Sequence, residues 1–339
     1  MTNISVGIIG SGSMAEHRHA PEYAAHHQVG EIVFYDRNQD RAERLANKFK
    51  GRSVHRIEDL FNDPCIHLIS DCSSNETHMF NTIEALNKGK HVLCEKPMAN
   101  TIEEAKAMVE ASKKTGKRLF IAHNQRFVRA HQRAKDIVDS GSLGKVLSFK
   151  TTFSHRGPEH WGTTKSNATW FFKKERSYSG VIGDMGIHKM DLLRYILSDE
   201  MEEVSAFGGA IHKQDENHEP IEVYDHVTSI LRTKRGVLGD ASFSWTNYGK
   251  EENSMTLYLE KGAIHIGREE CPLIVEEYSG DNVRYDLESQ KNSGVIDHVI
   301  HCLTHNVSSI ISGEEGLESL KVVAAMKESA ESRSICTIQ

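Results

Sequence analysis

The first third of the chain alternates short, densely apolar runs with longer stretches in which apolar residues recur every three or four positions. "ISVGIIG" (4–10), "EIVFYD" (31–36), "HLISDC" (67–72), "HVLCEKP" (91–97) and "RLFIAH" (118–123) read as buried strands. Between them, "NQDRAERLANKF" (38–49), "ETHMFNTIEALNKG" (76–89) and "TIEEAKAMVEASKKTG" (101–116) read as helices, the last two closed by glycine. Strands that alternate with helices need crossover connections, which predicts a doubly wound parallel sheet over 1–123. Beyond it the period changes. "RAHQRAKDIVDSGSLG" (129–144) is helical and "KVLSFKTTFSH" (145–155) a long alternating strand. "DHVTSILRTKRGVLGDASFSW" (225–245) and "NSMTLYLEKGAIHIG" (253–267) each read as two strands around a tight turn. Consecutive hairpins predict an α+β domain over 124–339 built on a largely antiparallel sheet, ending in a helix with a Leu/Val/Ala/Met stripe over 316–333.

Length agrees with this division, since 339 residues exceed what one hydrophobic core usually covers. The net charge of −7 is spread over both signs, with no basic run of the kind that tracks a phosphate backbone, so nucleic acid is not an expected partner. No segment approaches the roughly eighteen uninterrupted apolar residues of a membrane helix, and the first residues lack a secretory pattern, so the chain reads as cytoplasmic. Its six cysteines have no paired spacing and read as reduced thiols, mostly core residues.

Candidate chemistry begins at the first strand-to-helix turn. Gly10, Gly12 and Ala15 form the G-x-G-x-x-G/A arrangement: one glycine for a tight turn, one for the approach of a pyrophosphate, and a small residue for close helix packing. Ser13 and Met14 lie in the same turn. Asp36 closes the second strand, where a carboxylate accepts a ribose diol and repels a 2′-phosphate, favouring NAD; Arg37 beside it leaves NADP open. Ligands of such sheets collect at the carboxyl ends of strands, which adds Ser73, Ser74, Asn75 and His78 after the strand at 67–72, and Glu95, Lys96 and Pro97 after the next. Beside a nicotinamide, Lys96 would stabilise an alkoxide and shuttle its proton; the plainer alternative is a surface ion pair with Glu95. "GDMGIHKMD" (183–191) puts Asp184 and His188 one turn apart if helical, with Asp191 further along. Imidazole, with an ordinary pKa of about 6.5, suits removal of a hydroxyl proton, although buried His/Asp pairs also arise from packing alone.

Taken together, the glycine fingerprint, Ser74-Asn75-x-x-His78, "GKHVLCEKPMA" (89–99), "RF" (126–127), "GSLGKV" (141–146) and "GDMGIHKMD" resemble the Gfo/Idh/MocA family over nearly the whole chain. The resemblance implies a Rossmann NAD-binding domain, a second domain for substrate binding and oligomerisation, and catalytic roles for Lys96, Asp184 and His188, with His188 as general base. Arg126 of "RF" joins the expected cofactor-binding residues. The implied substrate is a sugar or cyclic polyol and the implied assembly a homodimer or homotetramer through the second-domain sheet. Redox-neutral relatives that oxidise a sugar only transiently, acting as glycosidases or epimerases, and ligand-sensing regulators are the alternatives. The expected substrate contacts are Asp184, His188, His155, Trp161 and Trp170, with Arg156, His160 and Tyr248 nearby in sequence or type. His298, His301, Cys302 and His305 recur at helical spacing that suits zinc, but they lie opposite an apolar stripe and read as an outward or interfacial face; no metal is expected.

Overall fold

A computed structural model describes residues 3–162, 165–268, 271–288 and 290–339. Its contacts divide the chain into two compact units, Met1–Asn124 with Asn292–Glu318, and Gln125–Lys291 with Ser319–Gln339.

The first unit holds a six-stranded sheet. Strands β1 (Ile4–Ile9), β2 (Val29–Tyr35), β3 (Arg52–Ser53), β4 (Ile66–Asp71), β5 (His91–Cys94) and β6 (Leu119–Ile121) run in the order β3-β2-β1-β4-β5-β6. All five ladders are parallel, so the order reverses beside β1 and leaves a crevice at the carboxyl ends of β1 and β4. The helices are α1 (Ala20–Ala25), α2 (Gln39–Phe49), α3 (Ile57–Asn62), α4 (Asn75–Asn87) and α5 (Ile102–Thr115). Helix α5 shows why the sequence breaks where it does. The Thr101 hydroxyl accepts the Glu104 N–H, the Glu104 carboxylate returns to the Asn100 N–H, and Gly116 closes the helix at positive φ.

The second unit continues with α6 (Arg129–Ser140), β7 (Val146–Ser154), α7 (Pro158–Trp161) and α8 (Ile187–Leu197). Strands β8 (Met201–Gly209), β9 (His226–Thr233), β10 (Leu238–Ser244), β11 (Glu252–Leu259), β12 (Gly262–Arg268), β13 (Cys271–Glu277) and β14 (Asn282–Tyr285) follow. With β15 (Cys336–Thr337) they make a nine-stranded sheet among the described residues, in the order β14-β13-β12-β11-β7-β10-β9-β8-β15. Both predicted hairpins are present as β9–β10 and β11–β12. The one parallel ladder joins β7 to β10. Along β9, Val227, Ser229, Leu231 and Thr233 are buried while their neighbours are not, the alternation expected of a sheet packed on one face.

A division at 123/124 does not capture how the chain returns. Residues 292–318, with α9 (Val295–His305) and the start of α10 (Gly313–Ser332), group with the first unit. Directed polar contacts tie them there. The Arg118 guanidinium donates to the carbonyls of Cys302 (2.7 Å) and Val307 (2.5 Å), the Ile121 N–H donates to the Ile311 carbonyl (2.8 Å), and the Glu22 carboxylate accepts from Ser293. Among the described residues no helix is long and apolar enough to cross a membrane.

Candidate active site

The glycine turn of the first unit has room for a phosphate. Gly10 adopts φ +85° with the Cys72 carbonyl so close that a side chain there would clash, whereas a Cβ on Gly12 would meet nothing within 4 Å. The helix that follows departs from the α-helix expected: its first full turn, Ala15–His19, is a π-turn before α1 begins. Such wider turns concentrate at functional sites because they redirect a side chain without ending the helix. Asp36 is fixed by two main-chain donors, the Ser11 N–H to Oδ2 at 2.7 Å and the Asn38 N–H to Oδ1 at 2.8 Å. Each oxygen keeps acceptor capacity, which is what a ribose diol uses. The buried Ser11 hydroxyl has no hydrogen-bond partner among the described residues. These residues fit a dinucleotide: open backbone at Gly12, an oriented carboxylate at Asp36, and the exposed Arg37 beside it.

At the ends of β4 and β5 the structure separates residues that the sequence groups together. Ser73 and Ser74 are half-buried, while Asn75 is buried. His78 was expected to contact cofactor, but it is fully buried; Nδ1–H donates to the Pro97 carbonyl at 3.0 Å and Nε2 lies 3.2 Å from the Ser73 carbonyl. Glu95 is likewise turned inward. Its Oε1 accepts from His19 Nε2 at 2.8 Å and its Oε2 from the Lys96 N–H at 3.1 Å. His78 and Glu95 therefore hold the loop and do not present themselves to a ligand. Lys96 alone among residues 92–99 is not buried, and the Lys96–Pro97 peptide is cis. Burial opposes charge on His19, but Cys72 and the Glu95 carboxylate against it prevail and raise its pKa well above the ordinary imidazole value. Glu95 mirrors it: desolvation favours the neutral acid, yet His19 and Lys96 hold its pKa below the usual range.

In the second unit, residues 181–194 are buried except at two positions, Asp184 and His188. Here too the helix opens on a π-turn, Ile182–Gly186, which carries Asp184, and α8 carries His188. The small residues of "GDMG" are explained by crowding, since Gly183 lies against the Tyr178 carbonyl and Gly186 against the Phe243 ring. Trp245, fully buried just past β10, donates its Nε1–H to Asp184 Oδ2 at 3.2 Å. From His188 an arc of rings leads back to that tryptophan: Phe153 (6.3 Å), His155 (5.9 Å), Trp161 (6.2 Å), Phe171 (5.1 Å) and Trp245 (6.4 Å), with Trp170 stacked on Phe171 at 4.0 Å. The expected contacts His155, Trp161 and Trp170 thus join Asp184 and His188 in one constellation. Phe153, Phe171 and Trp245 complete it and were not singled out from the sequence.

Other expected residues make contacts of a different kind. Tyr248 lies under the Lys213 ammonium at 4.6 Å, and Lys213 also pairs with Glu159, next to His160, and donates to the Arg156 carbonyl. Arg126 is buried in a two-point ion pair with Asp191, at 2.9 and 2.7 Å, and Ser319 donates to the same carboxylate. That geometry makes Arg126 a core residue of the second unit, in place of the cofactor contact expected. His301 and His305 stack on the exposed face of α9, His298 bonds Ser309, and Cys302 is buried, so the four do not share one outward face. Among the described residues, the trio whose potential ligand atoms lie within 4.8 Å of one another is Asp71, His78 and Cys94. Those atoms are engaged by Ser73, Asn81, the Pro97 carbonyl and the Glu95 carbonyl.

Comparison with known proteins places the chain in a family. Residues 4–123 match the oxidoreductase family model with an NAD-binding Rossmann fold, and residues 131–265 match the Gfo/Idh/MocA C-terminal domain. The myo-inositol 2-dehydrogenase of Thermotoga maritima is 28% identical over 97% of this chain and 96% of its own. Glucose-6-phosphate 3-dehydrogenase of Bacillus subtilis is 30% identical over 70% of each. A solved levoglucosan dehydrogenase, in complex with NADH and levoglucosan, superposes with a TM-score of 0.90 over all of both chains at 24% identity, a likeness of fold. The chain belongs to the Gfo/Idh/MocA family of oxidoreductases, and its first unit is an NAD-binding Rossmann domain.

Proposed function

We propose that this protein is an NAD-dependent dehydrogenase that oxidises a secondary hydroxyl of a cyclic polyol or sugar, with His188, Asp184 and Lys96 handling the proton. The observation that carries this reading is the pairing of Asp184 and His188 as the two positions of a buried segment that reach the surface, joined to an arc of aromatic rings. Hydroxyl-bearing rings are bound by such mixtures, because the polar groups take the hydroxyls and the aromatic faces take the C–H side. Named relatives act on myo-inositol and on glucose 6-phosphate, which are cyclic polyol and sugar chemistry.

Bound NAD supplies the acceptor for the hydride. Gly12, Ser13, Met14 and Ala15 would bind its phosphates at the start of the first helix, Asp36 its ribose, and the half-buried Ser73 and Ser74 its nicotinamide half. His188 takes the hydroxyl proton at a ring nitrogen. Asp184, aimed by Trp245, holds the hydroxyl or the imidazole in place, and the Lys96 ammonium steadies the developing negative charge. The second-unit sheet forms a homo-oligomer through its outward face.

A spectrophotometric screen of inositols and hexoses with NAD and NADP tests the reading. We expect NAD reduction with one or more of them, and its fall to a small residual rate in His188→Ala and Lys96→Ala while NADH binding persists. Wild-type turnover in either variant overturns the role given to that residue. Silence across the screen in a protein that retains NAD through purification moves the assignment to a redox-neutral reaction.

A further inference from the structure

Lys96 stands between two residues that are each held by a buried histidine, and each histidine comes from a different strand-end turn of the first unit. His19 closes the π-turn that follows the glycine loop and contacts Glu95, the residue before Lys96, at 2.8 Å. His78, on the first turn of α4 after Ser73-Ser74, donates to the carbonyl of Pro97, the residue after it, at 3.0 Å. Neither ring is available to a ligand, at 4% and 0% exposure. The Glu95 carboxylate spends one oxygen on His19 and the other on the Lys96 N–H, so the lysine's main chain is held from within the fold on both sides.

The chemistry argues for more than filler. Burying an imidazole and a carboxylate together is costly, and an apolar pair of the same volume fills space at least as well. The second ring nitrogen of His19 is also engaged, 2.7 Å from the Ser70 hydroxyl, which accepts from Tyr23 at 3.2 Å. A satisfied network of this kind fixes orientation, which apolar packing does not. The π-turn has a use here as well, since it swings His19 inward from a helix whose start faces the glycine loop.

We propose that His19 and His78 are positioning residues forming a clamp that ties both nucleotide-side turns to the Lys96 loop and sets the place of the Lys96 ammonium. The inference rests on the reading of Lys96 as the proton-handling lysine, and its primary test does not need that reading. Amide hydrogen exchange of the NADH-bound protein reports directly on residues 93–99. We expect His19→Ala and His78→Gln each to speed exchange there by about tenfold or more, with α2 (39–49) unchanged; His19→Gln, whose amide still donates to Glu95, restores most of the protection. Unchanged exchange at 93–99 in both histidine variants overturns the clamp.

The catalytic consequence is read by a double-mutant cycle under substrate saturation. His19→Ala lowers kcat by about tenfold or more while KM for NAD stays within roughly threefold. In a Lys96→Ala background it lowers the residual rate no further. An equal loss in both backgrounds assigns His19 a general structural role and overturns the positioning claim. Full turnover in Lys96→Ala alone overturns the catalytic reading of Lys96, and the exchange measurement still decides whether the clamp exists.

Discussion

Asp36 accepts two main-chain N–H groups, and that support makes its effect on cofactor choice a sharp test. Replacing it with alanine removes the ribose acceptor and the charge that repels a 2′-phosphate, leaving Arg37 as the nearest charge in sequence. We expect NADH affinity in Asp36→Ala to fall about tenfold while NADPH affinity holds or improves, as read by fluorescence titration with both nucleotides. An unchanged ratio contradicts the ribose assignment. Trp245 offers a second test. Trp245→Phe keeps a ring in the core and removes the N–H that aims Asp184, so kcat should fall about tenfold with KM little changed; wild-type kcat means Asp184 needs no such aim. Lys96, Asp184 and His188 were singled out because their motifs resemble those of the Gfo/Idh/MocA family; their local sequence alone left a surface ion pair and a packing pair open. Trp245 and His19 were not, since their partners lie 61 and 76 residues away and no local pattern records such a meeting.

At the scale of elements, α8 carries two opposed chemistries. His188 reaches the surface, and its neighbour Lys189 is buried against the sheet, with Nζ 3.3 Å from the Ser254 carbonyl and 5.8 Å from the Phe153 ring centre. Burial pushes the Lys189 pKa down from 10.5 to about 7, against a smaller opposing pull from Glu252. The folded lysine binds its proton less tightly than the unfolded one, so the unfolded state holds the extra proton between about pH 7 and 10.5 and stability rises with pH across that window. Below it both states are protonated and the penalty is present in full. The slope is at most about 1.4 kcal/mol per pH unit. We expect Lys189→Met to remove it and to be the more stable protein at pH 6, as measured by urea denaturation from pH 6 to 9.5. Equal slopes in the two proteins show that Lys189 keeps its proton throughout. The helix itself was legible in its apolar spacing, as was α5 in its Thr101 and Gly116. The π-turns at 15–19 and 182–186 were not, because one extra residue in a turn leaves the hydrophobic period almost unchanged.

For the molecule as a whole, the switch from strand–helix alternation to hairpins was readable, and it yields both sheets. The return of 292–318 to the first unit was not readable, since a stripe such as that of α9 states that a helix is covered and leaves open by what. The same limit applies to the outward face of the nine-stranded sheet. There the register sets Ile230 opposite Ser205 of β8 and Asp240 of β10, and Phe207 opposite Thr228, with Ile230 62% and Phe207 73% exposed. Leu238 and Tyr258 add apolar surface on β10 and β11 of the same face. Singly exposed apolar residues are ordinary, but four on one sheet face, set among Ser148, Ser205 and Thr228 with the charged Arg232 and Asp240, form a surface suited to a second copy of itself. A stable dimer covers roughly 800 Å² per partner, which a sheet of this width can supply. Placing an ammonium at Ile230 forces a buried charge into any such contact, whereas in a monomer it costs little. We therefore expect the wild-type protein to sediment as a dimer or tetramer and Ile230→Lys to sediment at lower mass, with an unchanged circular dichroism spectrum. A wild-type monomer, or an Ile230→Lys variant of undiminished mass, removes this face from the assembly.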